Sequence, residues 1–218
     1  LSNPKFSECV TEAVTEAIVS MAPGLKNFHV LPIEPLAIDS ATIGQKGGAV
    51  SLQQEYTNLK IHGLTKGFRA SDYSVDLDKC KIIGNGFNER VDFVGDYKLD
   101  GKILLLPVVG NGRANITLVN LRSKNTMDCN KYEKNGETYL NVTKYAIRFS
   151  PSKVYLRFDN LFNGDKVLGD QMNKFINENS DLLFKELQGP YEEVFGTVFA
   201  NVCNAIFSRV PLSKVFPK

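Results

Sequence analysis

Histidine is scarce in this chain of 218 residues, which has only His29 and His62. A serine nucleophile needs a base such as histidine within hydrogen-bond reach, and the G-x-S-x-G turn that holds such a serine is missing. The sequence also has no P-loop, no H-E-x-x-H pair and no calcium-binding loop. It therefore predicts no enzyme, no metal site and no cofactor.

Long apolar runs and dense charge clusters are missing too. No window of about 18 residues is apolar throughout, so we expect no stable insertion into a membrane. The 26 basic and 24 acidic residues give a net charge of +2 without a basic block. This balance argues against nucleic acid as a partner.

Cysteine occurs only at Cys9, Cys80, Cys129 and Cys203, with no C-x-x-C pair and no histidine nearby, which argues against zinc. The start at Leu1 rather than Met indicates a processed chain. An even cysteine count in such a chain favours secretion with one or two disulfides, although the pairing stays open. Alternatively some cysteines are buried free thiols, and Cys203, on an apolar helix face, is the best candidate.

Two N-x-T sequons, at Asn115 and Asn141, agree with a secretory route and are the predicted glycosylation sites. Asn115 lies beside a predicted turn and is the better candidate. Asn141 shares strand parity with Tyr145 and Phe149, which should face the core. Either that sequon is unused, or a bulge near Thr143-Lys144 shifts the parity; we favour the bulge.

Helix patterns occupy both ends of the chain. An apolar stripe predicts a helix from about Pro4 to Met21. Asp165 is placed to cap a second helix, and apolar spacing continues through Asp170–Ser208, either as one rod of about 58 Å or interrupted at Gly189-Pro190. The stretch Val194–Ser208 carries no charge, so we expect protein to surround it on all sides.

Strand patterns fill the middle, where the apolar period changes to two between Ala49 and Phe158. Four pairs provide the positive backbone angle of tight hairpin turns: Asn85-Gly86, Asp100-Gly101, Asn111-Gly112 and Asn135-Gly136. The predicted strands are Val91–Leu99, Lys102–Val109, Asn115–Arg122, Thr138–Phe149 and Val154–Phe158.

The predicted fold class is α+β, with an N-terminal helix and one long antiparallel sheet that curls strongly around a long C-terminal helix. We expect a single domain over residues 1–218. Periodicity alone favours a solid core, because spacing in a sequence cannot reveal a cavity.

Several blocks of the sequence resemble the takeout and juvenile-hormone-binding protein family of insects over nearly the whole length. The most distinctive block is Asp159–Lys166, followed by Phe175–Asn179. The other matching blocks are Asn3–Cys9, Pro23–Leu25, Leu31–Leu36 and Val210–Leu212.

This resemblance implies a tubular lipid-binding fold with an internal hydrophobic tunnel. It also implies a secreted, extracellular carrier of one elongated hydrophobic molecule such as juvenile hormone, a fatty acid or an isoprenoid-like lipid. The family usually pairs two cysteines near the N-terminus, whereas only Cys9 is present here, its partner being lost or lying before Leu1. A Cys129–Cys203 link is a further guess.

The predicted ligand-binding residues are apolar positions on the inward faces of these elements, with the first three on a possible lid helix: Val14, Ile18, Met21, Phe93, Leu104, Ile116, Leu118, Val142, Tyr145, Phe149, Leu156, Phe158, Phe175, Phe195 and Phe199. An empty tunnel of 300–1,000 Å³ would cost roughly 7–24 kcal/mol, so we expect it to be filled or braced. Two alternatives remain: a lipid-processing esterase, and a lipid-filled protein that acts through an unknown receptor.

Overall fold

A computed structural model describes residues 4–45, 47 and 49–216. The described helices and strands follow one another in the order α1 Pro4–Ser20, β1 Leu36–Gln45, β2 Val50–His62, β3 Arg69–Asp76, β4 Lys81–Ile103, β5 Leu106–Lys134, β6 Glu137–Ser150, β7 Lys153–Phe158, α2 Lys166–Glu178, α3 Ser180–Phe207 and α4 Leu212–Val215. The first helix begins and ends within a residue of its prediction.

The centre of the sheet is the long hairpin of β4 and β5. The two strands pair along their length, from Lys81 opposite Asp128 to Ile103 opposite Leu106. On its other side β4 pairs with β2 and β3, and β5 pairs with β6 and β7. The strand order along the sheet is therefore β1-β2-β4-β5-β6, with every pairing antiparallel.

Three of the four predicted hairpin turns are wrong. Asn85-Gly86, Asp100-Gly101 and Asn111-Gly112 lie inside β4 and β5, which are 23 and 29 residues long. Only Asn135-Gly136 forms a turn, where both residues have positive φ. Val91–Leu99 and Asn115–Arg122 are therefore fragments of β4 and β5, and Lys102–Val109 crosses the turn between them. The predicted strands Thr138–Phe149 and Val154–Phe158 agree with β6 and β7 to within one residue.

Glycine inside these strands provides room for close neighbours. A Cβ atom at Gly86 would lie 2.9 Å from the Phe68 ring, and one at Gly112 would lie 2.7 Å from the Asp159 carbonyl oxygen. The same residue type that permits a turn thus permits another chain segment to pack against a strand.

The predicted bulge in β6 is confirmed. Lys144 lies opposite Asp128, whereas Val142 lies opposite Cys129, which leaves Thr143 as the extra residue. Val142 and Phe149 are consequently both buried, although their positions differ in parity. Even-numbered residues such as Val142 therefore face the core before the bulge, and odd-numbered residues such as Phe149 face it afterwards.

The C-terminal helical run breaks at Asn179 rather than at Gly189-Pro190, which lies inside α3. The Asn179 side chain donates a hydrogen bond of 2.8 Å to the Phe175 carbonyl oxygen and closes α2. The predicted cap is confirmed, because Asp165 Oδ1 accepts from the Leu168 amide at 3.0 Å. With 28 residues, α3 spans about 42 Å.

The sheet curls around α3. This helix packs chiefly against β6 and β1, the two ends of the strand order, while α1 packs on β3 and α2 on β7. A line of residues on α3, Glu193, Thr197 and Asn201, is exposed, so the expectation that protein surrounds this helix on all sides is wrong. The helix fills the seam between the sheet edges, where one face meets solvent. No helix in the described ranges has both the length and the apolarity to cross a bilayer.

Side-chain amides of α2 complete the free edge of β7. Asn173 accepts from the Phe158 amide at 2.9 Å and donates to the Phe158 carbonyl at 2.8 Å. Asn177, one turn later, does the same for Leu156 at 3.0 and 2.7 Å. Each asparagine therefore takes the place of a neighbouring strand.

Polar side chains of α3 complete the edge of β6 in the same way. Asn204 accepts from the Val142 amide at 2.7 Å and donates to its carbonyl at 3.0 Å. Glu192 accepts from the Phe149 amide at 2.8 Å, and Gln188 donates to the Phe149 carbonyl at 2.9 Å. These contacts fix the long helix along the edge of the sheet.

The disulfide joins Cys80 to Cys129, across 49 residues of chain. The guess of a Cys129–Cys203 link is therefore wrong, because the strand pairing of β4 with β5 brings Cys129 beside Cys80. Cys203 is a free thiol, as expected, and Cys9 is free and exposed.

Candidate ligand-binding cavities

Two cavities lie in the interior, between the sheet and α3. The larger has a volume of about 140 Å³ and the smaller about 30 Å³. Phe149 belongs to the walls of both, so a single side chain adjoins the two spaces. The interior space is thus smaller than the tunnel of 300–1,000 Å³ considered for the sequence.

One row of α3 residues runs past both cavities. Six of its wall residues recur every four positions: Leu183, Leu187, Tyr191 and Phe195 at the smaller cavity, then Phe199 and Cys203 at the larger. Four residues make slightly more than one helical turn, so the row shifts by about 40° at each step and winds about half-way round the helix between its two ends. The cavities therefore follow one another along the helix axis.

Most of the predicted binding residues do line these cavities. The larger one is bounded by α1 and by β-strand and α3 residues, and the predicted members of its wall are Ile18, Met21, Tyr145, Phe149 and Phe199. The predicted members of the smaller wall are Phe93, Ile116, Leu118, Phe149, Leu156 and Phe195.

Leu104 does not face the interior. It adopts a φ of 55° in the turn between β4 and β5 and is 43% exposed. The predicted strand Lys102–Val109 placed it inside because that strand was assumed to continue through this turn.

Four other predicted residues pack in the core without lining either cavity. Phe158 packs edge-on against Tyr97, with ring centroids 5.0 Å apart. Val142 is buried in a second apolar cluster, and Val14 of α1 packs against the same cluster. Phe175 of α2 packs against the main core. Apolar periodicity identified these four as inward-facing but could not separate core from cavity wall.

Several wall residues were missed by the sequence reasoning. Those of the smaller cavity are Val154, Leu183, Phe184, Leu187 and Tyr191. Those of the larger are Ile33, Leu36, Leu64, Phe68, Tyr73, Asn88, Leu121, Ser123, Asn125, Ile147, Val202 and Cys203. Alternation along β4 and β5 could have placed Asn88 and Asn125 on the inner face, but buried asparagines contradict the rule that polar residues lie outside.

Those buried asparagines are satisfied by nearby groups. Asn88 donates to the carbonyl oxygens of Gly63 and Leu64 at 2.9 and 3.0 Å. Asn125 Oδ1 accepts from the Tyr145 hydroxyl at 3.0 Å. They give the larger cavity a small polar region without placing a charge in its wall.

Burial keeps the ionisable groups of the larger cavity neutral. It raises the pKa of Tyr73 to about 12 and the pKa of the Cys203 thiol to about 12, and it raises the pKa of Tyr145 well above its ordinary value. All three groups are therefore protonated near neutral pH. Such a wall suits an uncharged, mostly apolar molecule.

A second polar group adjoins the smaller cavity through Tyr191. The Tyr56 hydroxyl donates to Gln54 Oε1 at 2.7 Å, the Tyr191 hydroxyl lies 3.1 Å from the same oxygen, and the two hydroxyls are 2.8 Å apart. Gln54 and Tyr56 are each 2% exposed. Gln54 Nε2 has no hydrogen-bond partner within the described part of the chain.

Neither histidine contributes to these cavities: His29 and His62 are both exposed. Asn115 and Asn141 are exposed on the outer side of the sheet, so both remain predicted glycosylation sites. Asn115 lies within β5 rather than beside a turn, because β5 continues through Asn111-Gly112.

A strongly curled antiparallel sheet, a long helix in its seam and uncharged apolar cavities between them define a lipid- and hormone-binding fold. A profile of the haemolymph juvenile hormone binding protein family matches residues 1–217. The chain belongs to this family, which confirms the resemblance seen in its sequence blocks.

Individual relatives agree with this assignment. The circadian clock-controlled protein daywake of Drosophila melanogaster is 25% identical over 202 residues, covering 89% of this chain and 78% of the relative. Daywake of Drosophila yakuba is 21% identical, covering 95% and 83%. The crystal structure of Takeout 1 from Epiphyas postvittana superposes with a TM-score of 0.86 at 25% identity, covering 95% of this chain and 94% of that one.

Proposed function

We propose that this protein is a secreted carrier that binds one elongated hydrophobic molecule in the interior, along the inward face of α3. The observation that carries the proposal is the succession of two apolar cavities beside one row of α3 side chains. Membership of a family of hormone-binding proteins supports the same function. A disulfide between Cys80 and Cys129 agrees with an extracellular location.

Ligand affinity would come from desolvation of apolar surface, at about 25 cal/mol per Å². An empty space the size of the larger cavity, about 140 Å³, costs about 3 kcal/mol at the rate measured for cavities in protein cores. That cost is tolerable, so the free protein can persist. A long lipid exceeds either cavity, and its binding requires Phe149 and neighbouring side chains to move apart.

The test is displacement of the fluorescent probe N-phenyl-1-naphthylamine from delipidated protein, with Phe199→Asp as the variant. Phe199 lines the larger cavity, and a carboxylate there would have to lose its hydration when a ligand enters. We expect the variant to lose probe and lipid binding. The matched control is Val167→Asp, since Val167 on α2 is 66% exposed and the same new charge stays in water.

Circular dichroism of both variants establishes that they fold. Unchanged probe affinity in folded Phe199→Asp would contradict the proposed site, and failure of the parent protein to bind the probe or any lipid would contradict the carrier function.

A further inference from the structure

The polar group Gln54–Tyr56–Tyr191 contains more hydrogen-bond donors than its own contacts can use. A glutamine amide carries two N–H hydrogens and each tyrosine hydroxyl carries one, which makes four. The three residues share three mutual contacts, of 2.7, 2.8 and 3.1 Å, and each contact can use at most one hydrogen. Exchanging the oxygen and nitrogen of the amide does not alter this count. At least one donor is therefore left over.

The surplus donor is not removed by ionisation or by water contact. Burial raises the pKa of both tyrosine hydroxyls, so both stay protonated. Gln54 and Tyr56 are each only 2% exposed, so water does not reach them. A buried donor without an acceptor is costly, which makes such a group a site for a ligand acceptor.

Tyr191 connects this group to the ligand space. Its ring lies in the wall of the smaller cavity and stacks on Phe195, with centroids 6.4 Å apart. None of the wall residues described for that cavity is charged. We propose that Gln54, Tyr56 and Tyr191 form a polar subsite that selects lipids carrying an uncharged acceptor oxygen, such as an ester, ketone or ether.

This subsite rests on the proposed carrier function and adds a ligand class to it. A plain hydrocarbon leaves the surplus donor unpaired. A free carboxylate offers acceptor oxygens but must lose its hydration beside uncharged walls, and the donors of three neutral groups do not replace a counter-ion. An uncharged oxygen satisfies the donor without that cost.

The most specific variant is Gln54→Glu, which preserves the shape of the side chain and removes the surplus hydrogen-bond donor. A protonated carboxylic acid at this position brings the donor count to three, equal to the number of contacts, and an ionised one accepts from both hydroxyls. Gln53→Glu is the matched control, because Gln53 is adjacent on β2 but exposed. Should Gln54→Glu not fold, the triple variant Gln54→Leu, Tyr56→Phe and Tyr191→Phe removes every donor with little change of volume.

The measurement is competition of methyl laurate, pentadecane and laurate against N-phenyl-1-naphthylamine. For the parent protein and Gln53→Glu, we expect methyl laurate to bind about 3- to 10-fold more tightly than pentadecane, the range of one net hydrogen bond. Gln54→Glu, or the triple variant, should abolish that preference, so that methyl laurate and pentadecane bind with about equal affinity. Laurate should bind more weakly than its ester.

The subsite is overturned if the parent shows no preference for the ester, if the variant retains the preference, or if laurate binds best. In those outcomes pentadecane still displaces the probe and the carrier function stands. Absence of binding by every compound would instead contradict the carrier function and the subsite that depends on it.

Discussion

Five polar side chains of α2 and α3 act as substitutes for a neighbouring strand along β6 and β7: Asn173, Asn177, Gln188, Glu192 and Asn204. Sequence reasoning missed them, because asparagine and glutamine in a helix ordinarily indicate a solvated face. Only the positions of the strand edges show that these side chains are structural. At the scale of single residues, the apolar periodicity was therefore informative and the polar positions were not.

Asn204 offers the clearest test of such a substitute. Asn204→Leu leaves the amide and carbonyl of buried Val142 without partners, so we expect a loss of about 2–4 kcal/mol in the free energy of unfolding. Urea denaturation measures it. Asn201→Leu is the control on the exposed line of the same helix and should change stability by less than about 0.5 kcal/mol. Equal losses in the two variants would show that the edge contacts contribute little.

The two free cysteines should differ in reactivity. The thiolate is the nucleophile, and burial raises the pKa of Cys203 to about 12, so below that pH its thiol stays protonated and unreactive. Cys9 is exposed. Treatment of the native protein with iodoacetamide at neutral pH, followed by peptide mass spectrometry, should find label on Cys9 and not on Cys203. Labelling in urea is the control in which both react, and rapid native labelling of Cys203 would refute its burial beside the cavity.

At the scale of elements, the sequence predicted the helices, the sheet and the bounds of β6 and β7, but not the lengths of the central strands β4 and β5. The bulge in β6 could be inferred because Asn141, as part of a sequon, should face outward, although it has the same strand parity as Tyr145 and Phe149, which should face the core. Asn85-Gly86 and Asn111-Gly112 were misleading, since local turn preference does not show whether a glycine bends the chain or makes room for a distant part of it. The break at Asn179 was likewise hidden, because Gly189-Pro190 gave the stronger local signal and tertiary packing overrode it.

The disulfide ties the β3–β4 connection to the C-terminal part of β5. Loss of a link that closes 49 residues is expected to cost roughly 4 kcal/mol by the chain-entropy relation. The double variant Cys80→Ala, Cys129→Ala should therefore unfold at lower denaturant concentration than the parent. Cys9→Ala removes only an exposed thiol and should unfold at the same denaturant concentration as the parent. A double variant as stable as the parent would mean that the strand pairing alone holds these segments together.

At the scale of the whole molecule, curling of the sheet brings β1 and β6 to the same helix and encloses space between them. Alternating polarity predicts a buried face for each strand, but the curvature depends on long-range pairing that no local pattern contains. Periodicity also could not distinguish a filled core from one with cavities. The family resemblance supplied the expectation of internal space, and the structure contains two cavities beside α3.

Native mass spectrometry of the purified protein, before and after organic extraction, tests the central claim most directly. The account predicts a complex with one lipid, loss of that mass on extraction, and its recovery with a raised melting temperature when lipid is added back. A protein that is ligand-free as purified and that no lipid stabilises would contradict it.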